Sequence, residues 1–227
     1  QRTYVFLDDA TYGDGAVAIA LGGAYTVKTV VSQGAAPIGD PWMVTAANGH
    51  VLETISQRPA YQILVETFES LSPEDQKRAR SNLLMGLAID EYKSEFRRGD
   101  FLIRNLIGAD PDRGLLAIGA HPRIGQTIQF QLRDADAADE DLRELLDVVK
   151  QDLGENRPVG AILCSCNGRG EGLFGGPDHD ASTVADRLGP IPLAGFFCNG
   201  EIGPIGRRNF LHGFTASLAL IVPKDGG

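Results

Sequence analysis

The sequence is poor in positive charge. Its 227 residues carry 21 Lys and Arg against 30 Asp and Glu, a formal net charge of −9. An acidic surface repels nucleic-acid phosphates and anionic lipid. Nothing reverses the balance locally, since Arg207-Arg208 is a pair and not a patch. Nucleic-acid and membrane-surface roles are therefore disfavoured. Cysteine is scarce too. Cys164, Cys166 and Cys198 form an odd, sparse set, unlike a disulfide framework. One residue separates the first two, which is not the C-x-x-C spacing of redox and zinc sites. A reducing cytoplasm is the plain reading. No run approaches the roughly 18–20 apolar residues of a membrane span, and no signal peptide is visible. The phosphate-loop pattern G-x-x-x-x-G-K-[ST] and the nucleophile pattern G-x-S-x-G are both missing. There is no internal repeat and no low-complexity segment.

What is present is ordinary for a folded chain. Hydrophobic residues make up 43% and charged residues 22%, which excludes bulk disorder. The length suits one large domain or a domain and a half. Gln1 runs almost directly into Tyr4-Val5-Phe6-Leu7, a strand pattern, and a start inside a strand suggests a piece of a longer protein. Residues 15–22 and Tyr25 to Gln33 read as strands joined by a hairpin at Gly22-Gly23. Trp42 to Ala46 and Val51 to Ile55 flank Asn48-Gly49, a strong hairpin signal.

The period then changes. Pro59 suits the first turn of a helix, on which Tyr61, Leu64, Phe68 and Leu71 share an apolar face. Ser72 is placed to cap a second helix, with Glu74 and Asp75 in its first turn. Strands return at Leu83 to Ala88, Phe101 to Ile107 and Leu115 to Gly119. Thr127 to Arg133 alternates, which predicts one buried and one wet face. Asp139 to Leu153 is the clearest helix, with a Leu142, Leu145, Leu146, Val149, Leu153 stripe and Gly154 beyond it. Val159 to Cys164 is a short buried strand, Asp180 to Leu188 a helix stopped by Gly189-Pro190, and Leu193 to Phe197 and Phe210 to Val222 are strands. Lys224 to Gly227 reads as a frayed tail. The expected fold class is α+β, with large, mostly antiparallel mixed sheets packed against a few helices.

The information lies between Cys164 and Thr215, where charges and aromatics sit among dense glycines. In Cys166-Asn167-Gly168-Arg169-Gly170 the glycines let backbone amides approach a ligand. Arg169 can grip a carboxylate or phosphate bidentately. The plainer alternative is a sharp turn with a salt-bridged Arg. Phe197, Asn199, Gly200 and Glu201 follow a hydrophobic strand. Asn199-Gly200 alone would make a hairpin turn, and Glu201 can accept from an amine, pair with an Arg, or simply be a surface charge. His212 shares a strand face with Phe210 and Phe214, where a histidine is more often a hydrogen-bonded core residue than a base. Small residues, Thr215 among them, line the other face.

Three blocks together resemble the C-terminal half of the FIST family. They are Cys166 to Gly170 with Leu173 to Gly175, then Ile191 to Gly203 after Asp178 to Asp180, and His212 to Thr215. Cys198 departs from the small residues familiar there. Asp14 to Val17 and Val30 to Gly39 resemble the end of the family's N-terminal domain. The resemblance thus divides the chain into residues 1–57, the end of a FIST N-terminal-type domain, and residues 58–227, a FIST C-terminal-type domain. It implies a cytoplasmic sensory module of signal transduction that binds a small ligand, amino acids or their derivatives being the proposed class. No cofactor or metal is implied, and a signalling protein is an open partner. Arg169 and Glu201 would take the carboxylate and ammonium of such a ligand. Three alternatives stand beside this: a protein-docking module, a Cys166-dependent hydrolase or transferase with His212 or His179 as base, and a metal site at Asp178, His179 and Asp180. Against the last, adjacent side chains at a helix start diverge.

Overall fold

The computed structural model describes residues 4–206 and 208–224; Arg207 and the tail beyond Lys224 lie outside the described residues. In chain order the elements are β1 (Val5–Leu7), β2 (Ala10–Tyr12), β3 (Tyr25–Ser32), β4 (Ala35–Pro37), β5 (Trp42–Asn48), β6 (Val51–Ile55), β7 (Arg58–Pro59), α1 (Ala60–Ser70) and α2 (Pro73–Asn82). Next come β8 (Leu83–Ala88), β9 (Phe101–Asp110), β10 (Leu115–Ile118), β11 (Thr127–Arg133), α3 (Ala135–Leu153) and β12 (Gly160–Cys166). A 3-10 turn (Asn167–Arg169) leads to α4 (Glu171–Phe174), α5 (His179–Leu188), β13 (Leu193–Cys198), β14 (Glu201–Ile205), β15 (Arg208–His212) and β16 (Ala216–Pro223). The class is α+β, as the pattern predicts.

One core is a closed sheet. β10, β9, β8, β11, β5 and β6 pair in that order, and β10 pairs back onto β6. Closure leaves no open edge in the ring. Its interior holds Leu52, Met85, Leu116, Ile118, Ile128 and Phe130. Helix α1 packs against this core, but on a face one position off the expected stripe. Ala60, Ile63 and Thr67 are buried, while Tyr61, Leu64, Phe68 and Leu71 are only half-buried. The reason is the entry: β7 pairs with β6, Pro59 opposite Thr54, so the first helical residue already points inward. The hairpin β5–β6 forms with Asn48 opposite Val51, which makes Gly49-His50 its loop, one residue later than read.

Strand β11 has no wet face. Gln129 and Gln131 are buried, because an apolar cluster of Ala35, Leu84, Ala88, Phe101 and Ile103 sits on the outside of the ring. Gln131 stands opposite Leu84 of that cluster. The Gln129 amide donates to the Gly39 carbonyl at 2.7 Å.

The second core lies under the sheet β13-β12-β16-β3. Only β12 and β13 are parallel, since α5 crosses over between them. Helices α3 and α5 cover one face through Leu142, Leu146, Val149 and Val184 against Leu163, Leu218 and Leu220. Asp134 caps α3 by accepting from the Ala137 amide at 2.8 Å, and Gly154 ends it at φ 56°. Asp141 ties α3 to β3, accepting from the Ser32 hydroxyl at 2.7 Å and the Gln33 amide at 3.0 Å.

The opposite face of this sheet is open. Val27, Ile162, Ala194, Phe196, Ala219 and Ile221 share it by register, and Val27, Ile162 and Phe196 are exposed. The hairpin β14–β15 covers only the end where Gly203 meets Val31 and Ser217.

Several expectations are corrected by long-range pairing. Residues 15–22 are not a strand; they are exposed and unpaired, so Gly22-Gly23 is no hairpin. Strand β3 pairs instead with β16, and the sheets thus run across the division at residues 57 and 58. Phe210 to Val222 is not one strand. The chain turns at Gly213 and Phe214 (φ 65°), and the two pieces join different sheets. Asn199-Gly200 does not close a hairpin either, because β14 pairs with β15 and not with β13.

Candidate functional site

Strand β12 delivers Ser165 and Cys166 to one end of the parallel pair, and the glycine-rich turn after it folds Arg169 back into the protein. Arg169 is 1% exposed. Its Nε and Nη2 donate to the two carboxylate oxygens of Asp180, each at 2.9 Å. The guanidinium lies 5.4 Å from the Phe174 ring centroid. Asp180, in the first turn of α5, also accepts from the Ser165 hydroxyl at 2.8 Å. His179 bridges Asp180 (Nδ1, 3.1 Å) and Asp139 (Nε2, 2.9 Å), and its ring stacks on Phe174 at 3.5 Å. Burial alone would raise the Asp180 carboxyl, but the Arg169 guanidinium, with Ser165 and His179, holds it below the usual carboxylate range.

This network floors a cavity of about 240 Å³. Ser165, Arg169 and Asp178 give it polar groups; Leu163, Phe196 and Phe197 give it apolar walls. Phe196 and Phe197 are 63% and 59% exposed and form the rim. Gly195 in the wall has no room for a side chain: a Cβ there would lie 2.0 Å from the Leu163 carbonyl oxygen. At position 195 the backbone approach of β13 to β12 therefore requires glycine.

Of the residues singled out from sequence, Arg169, Gly170 and Phe197 line this cavity. Glu201 does not. It is 1% exposed, and accepts from the Thr215 hydroxyl at 2.7 Å, the Thr215 amide at 3.3 Å and the Cys198 thiol at 3.3 Å. Arg169 and Glu201 are thus engaged with separate internal partners, so the expected clamp for a zwitterion is not assembled. Thr215 and His212 sit with Glu201, and His212 Nε2 is 2.9 Å from the Gly203 carbonyl. Asn167 donates to Asn199 at 2.6 Å, tying the turn after β12 to the end of β13. The Gly168 carbonyl accepts from Arg133, and Gly200 lies against Leu211.

Cys166 is buried, and neither histidine bonds to it: His179 bonds to Asp180 and Asp139, His212 to Gly203. The Cys198 thiol is pushed up to about 12 by burial and by Glu201, and burial raises Cys164 as well. Asp178 turns away at φ 58°, while the His179 nitrogens and the Asp180 carboxylate are spent on one another, Asp139 and Arg169. Among the described residues no group of three His, Cys, Asp or Glu side chains is placed to hold a metal ion.

Ser165, Gly195 and Phe196 are not among the site residues expected from sequence, and Asp178 to Asp180 figure there as a metal site, with His179 also as a base for Cys166. Gly195 and Phe196 lie inside the Ile191 to Gly203 block, and Ser165 directly precedes the Cys166 to Gly170 block. Their convergence needed the parallel register that sets Ser165 beside Phe197.

Comparison with known proteins places these features in a family. Residues 60–204 match the FIST C domain and residues 1–58 the FIST N domain. An uncharacterized protein of Mycobacterium tuberculosis is 48% identical over 220 residues, covering 97% of this chain and 57% of its own length. One from Mycobacterium bovis is 47% identical over 220 residues, with 97% and 56% covered. An F-box/LRR-repeat protein of Arabidopsis thaliana is 31% identical over 138 residues, 53% of this chain and 26% of its own length. The chain therefore spans little more than half the length of its mycobacterial relatives. Among the described residues no helix is long and apolar enough to cross a membrane.

Proposed function

The chain belongs to the FIST family of signal-transduction sensory domains, and on that premise we propose that it binds a small ligand in the cavity between β13 and the start of α5. The observation that carries this is the buried Arg169–Asp180–Ser165 network under an aromatic rim. A rigid polar floor and apolar walls are what a small-molecule site needs. Amino acids and their derivatives, the class implied by the family resemblance, are the first candidates. Arg169 would act on them as a positioning residue for Asp180 and Ser165, leaving the exposed Asp178 to meet an ammonium. The reading is non-enzymatic, acts in the cytoplasm and needs no cofactor; output to a signalling protein completes it.

The test is a thermal-shift screen of the chain against the twenty amino acids and small carboxylates. A ligand at 100 times its Kd adds about 2.7 kcal/mol, a rise of about 5–10 °C for a chain of this size. Phe197→Ala should abolish the rise while the chain still folds. A flat screen of folded protein would overturn the small-ligand reading.

A second reading, protein docking, is favoured by the open face of the four-stranded sheet. The accessible surface is 13329 Å², about a third above the roughly 10,000 Å² of a compact monomer of this mass. The occupant that suits this face is the stretch of polypeptide that the mycobacterial relatives carry outside the matched region. Co-expression of that stretch should retain the chain, and Ile162→Asp should release it; no retention sinks the reading.

A further inference from the structure

A second cavity, of about 390 Å³, opens between β9, β10 and the turn after β15. It shares no lining residue with the one above. Arg104, Asn105, His212 and Phe214 line it. Arg104 is half-buried, and its Nη1 and Nη2 donate to the Ile103 and Leu211 carbonyls at 2.8 and 3.0 Å. No carboxylate meets it among the described residues. That is unusual here, because Arg58, Arg78, Arg98, Arg143, Arg169 and Arg187, the other buried or half-buried arginines apart from Arg133, each hold one. An acidic chain has thus left a partly desolvated guanidinium with spare donors in a cavity. Burial disfavours its charge, with no acidic group to offset it.

Two neighbours point the same way. Arg133, the other half-buried arginine without a carboxylate among the described residues, lies 4.9 Å from the Phe214 ring centroid, which adds positive potential beside the cavity. His212 is 4% exposed, and its Nε2 lies 2.9 Å from the Gly203 carbonyl. A carbonyl can only accept, so the proton is on Nε2 and Nδ1 is a bare acceptor. That Nδ1 is buried and has no partner. Phe214 is held at φ 65°, a strained conformation for a bulky residue of the kind that gathers at ligand sites.

We propose that this cavity is a binding site for a small oxyanion, a carboxylate or a phosphate, held by Arg104 over Phe214. The free N–H groups of Arg104 meet the anion. His212 Nδ1 is sealed from the cavity, and a hydroxyl borne by the same ligand reaches it only where the wall at Gly213 and Phe214 gives way to uncover it. The site stands apart from the sensory cavity, and the two succeed or fail separately.

Isothermal titration of the chain with inorganic phosphate, lactate and acetate, at constant ionic strength set by chloride, tests it. Saturable binding of phosphate, or of lactate more tightly than acetate, is expected; which of them binds identifies the source. Arg104→Gln, which keeps a donor for the Leu211 carbonyl, should weaken binding at least tenfold, and Phe197→Ala in the other cavity should not change it. Should Arg104→Gln fail to fold, Arg104→Lys keeps the charge without the fork and should weaken binding by a smaller factor. Absence of saturation for every probe up to about 10 mM, with exposed charges already screened, overturns the proposal. So does binding that survives unchanged in a folded Arg104 variant.

Discussion

Removing the carboxylate beneath the cavity between β13 and α5 tests the structure most directly. Asp180→Asn keeps the shape and deletes the charge. Arg169 then keeps one neutral acceptor, the Asn amide oxygen, beside the Ala138 carbonyl at 3.4 Å and the face of Phe174, while the new amide N–H group faces its other donor. Its Nη1 already lacks a partner. Leaving one member of a buried ion pair uncompensated costs about 3–5 kcal/mol. A chain of this length loses about 2–4 °C of midpoint per kcal/mol, so the fall should be about 6–20 °C. Equilibrium urea unfolding, followed by far-ultraviolet circular dichroism, reads the free energy itself. Adding Arg169→Met removes both charges, and the double variant should recover much of the loss. The pH dependence has a definite sign. The folded carboxyl is depressed below its unfolded value. Its contribution is therefore full above the unfolded pKa, near 3.9, and is lost as pH falls through the folded value. The wild-type advantage over Asp180→Asn should shrink on acidification. A single variant within 1 kcal/mol of wild type, or a double variant no more stable than the single, refutes the reasoning.

Other perturbations follow from particular contacts. Gly195→Ala should prevent or severely weaken folding, because its Cβ meets the Leu163 carbonyl at 2.0 Å, whereas Gly172→Ala, with nothing within 4 Å, should melt like wild type. Asp141→Ala strips the buried Ser32 hydroxyl and Gln33 amide of their acceptor and should cost about 1–3 kcal/mol per group in urea unfolding; Asp141→Asn should cost less. Cys198, with its thiol pushed up to about 12, should alkylate at pH 8 on the order of a hundredfold more slowly than an ordinary thiol, the smaller thiolate fraction being partly offset by its higher nucleophilicity. Peptide mapping after iodoacetamide treatment checks this, and rapid labelling of Cys198 in folded protein would contradict the Glu201 contact.

Local signals were legible in this sequence wherever neighbours in the chain decide the outcome. The leucine stripe of helix α3 and its Gly154 stop need only the 3.6-residue period and end chemistry, although its Asp134 cap starts it about one turn before the expected Asp139. The cap at Ser72 and the hairpin of β5 and β6 are of the same kind. The motifs from Cys166 to Thr215 likewise marked the region holding the cavity, and carried the family with them. What the sequence could not decide was which partner each group would meet. Apolar residues 15–22 resemble a strand, but a strand exists only where another backbone accepts its hydrogen bonds, and none does. Gln129 and Gln131 alternate like surface residues, yet a cluster assembled from β4, β8 and β9 buries them. Arg169 and Glu201 look like two free charges. Tertiary folding engages one with Asp180 and the other with Thr215, because a charge taken out of water must find a partner within reach, and reach is set by sheet register and helix placement. Arg104 shows the converse: the fold half-buries it without giving it a carboxylate among the described residues.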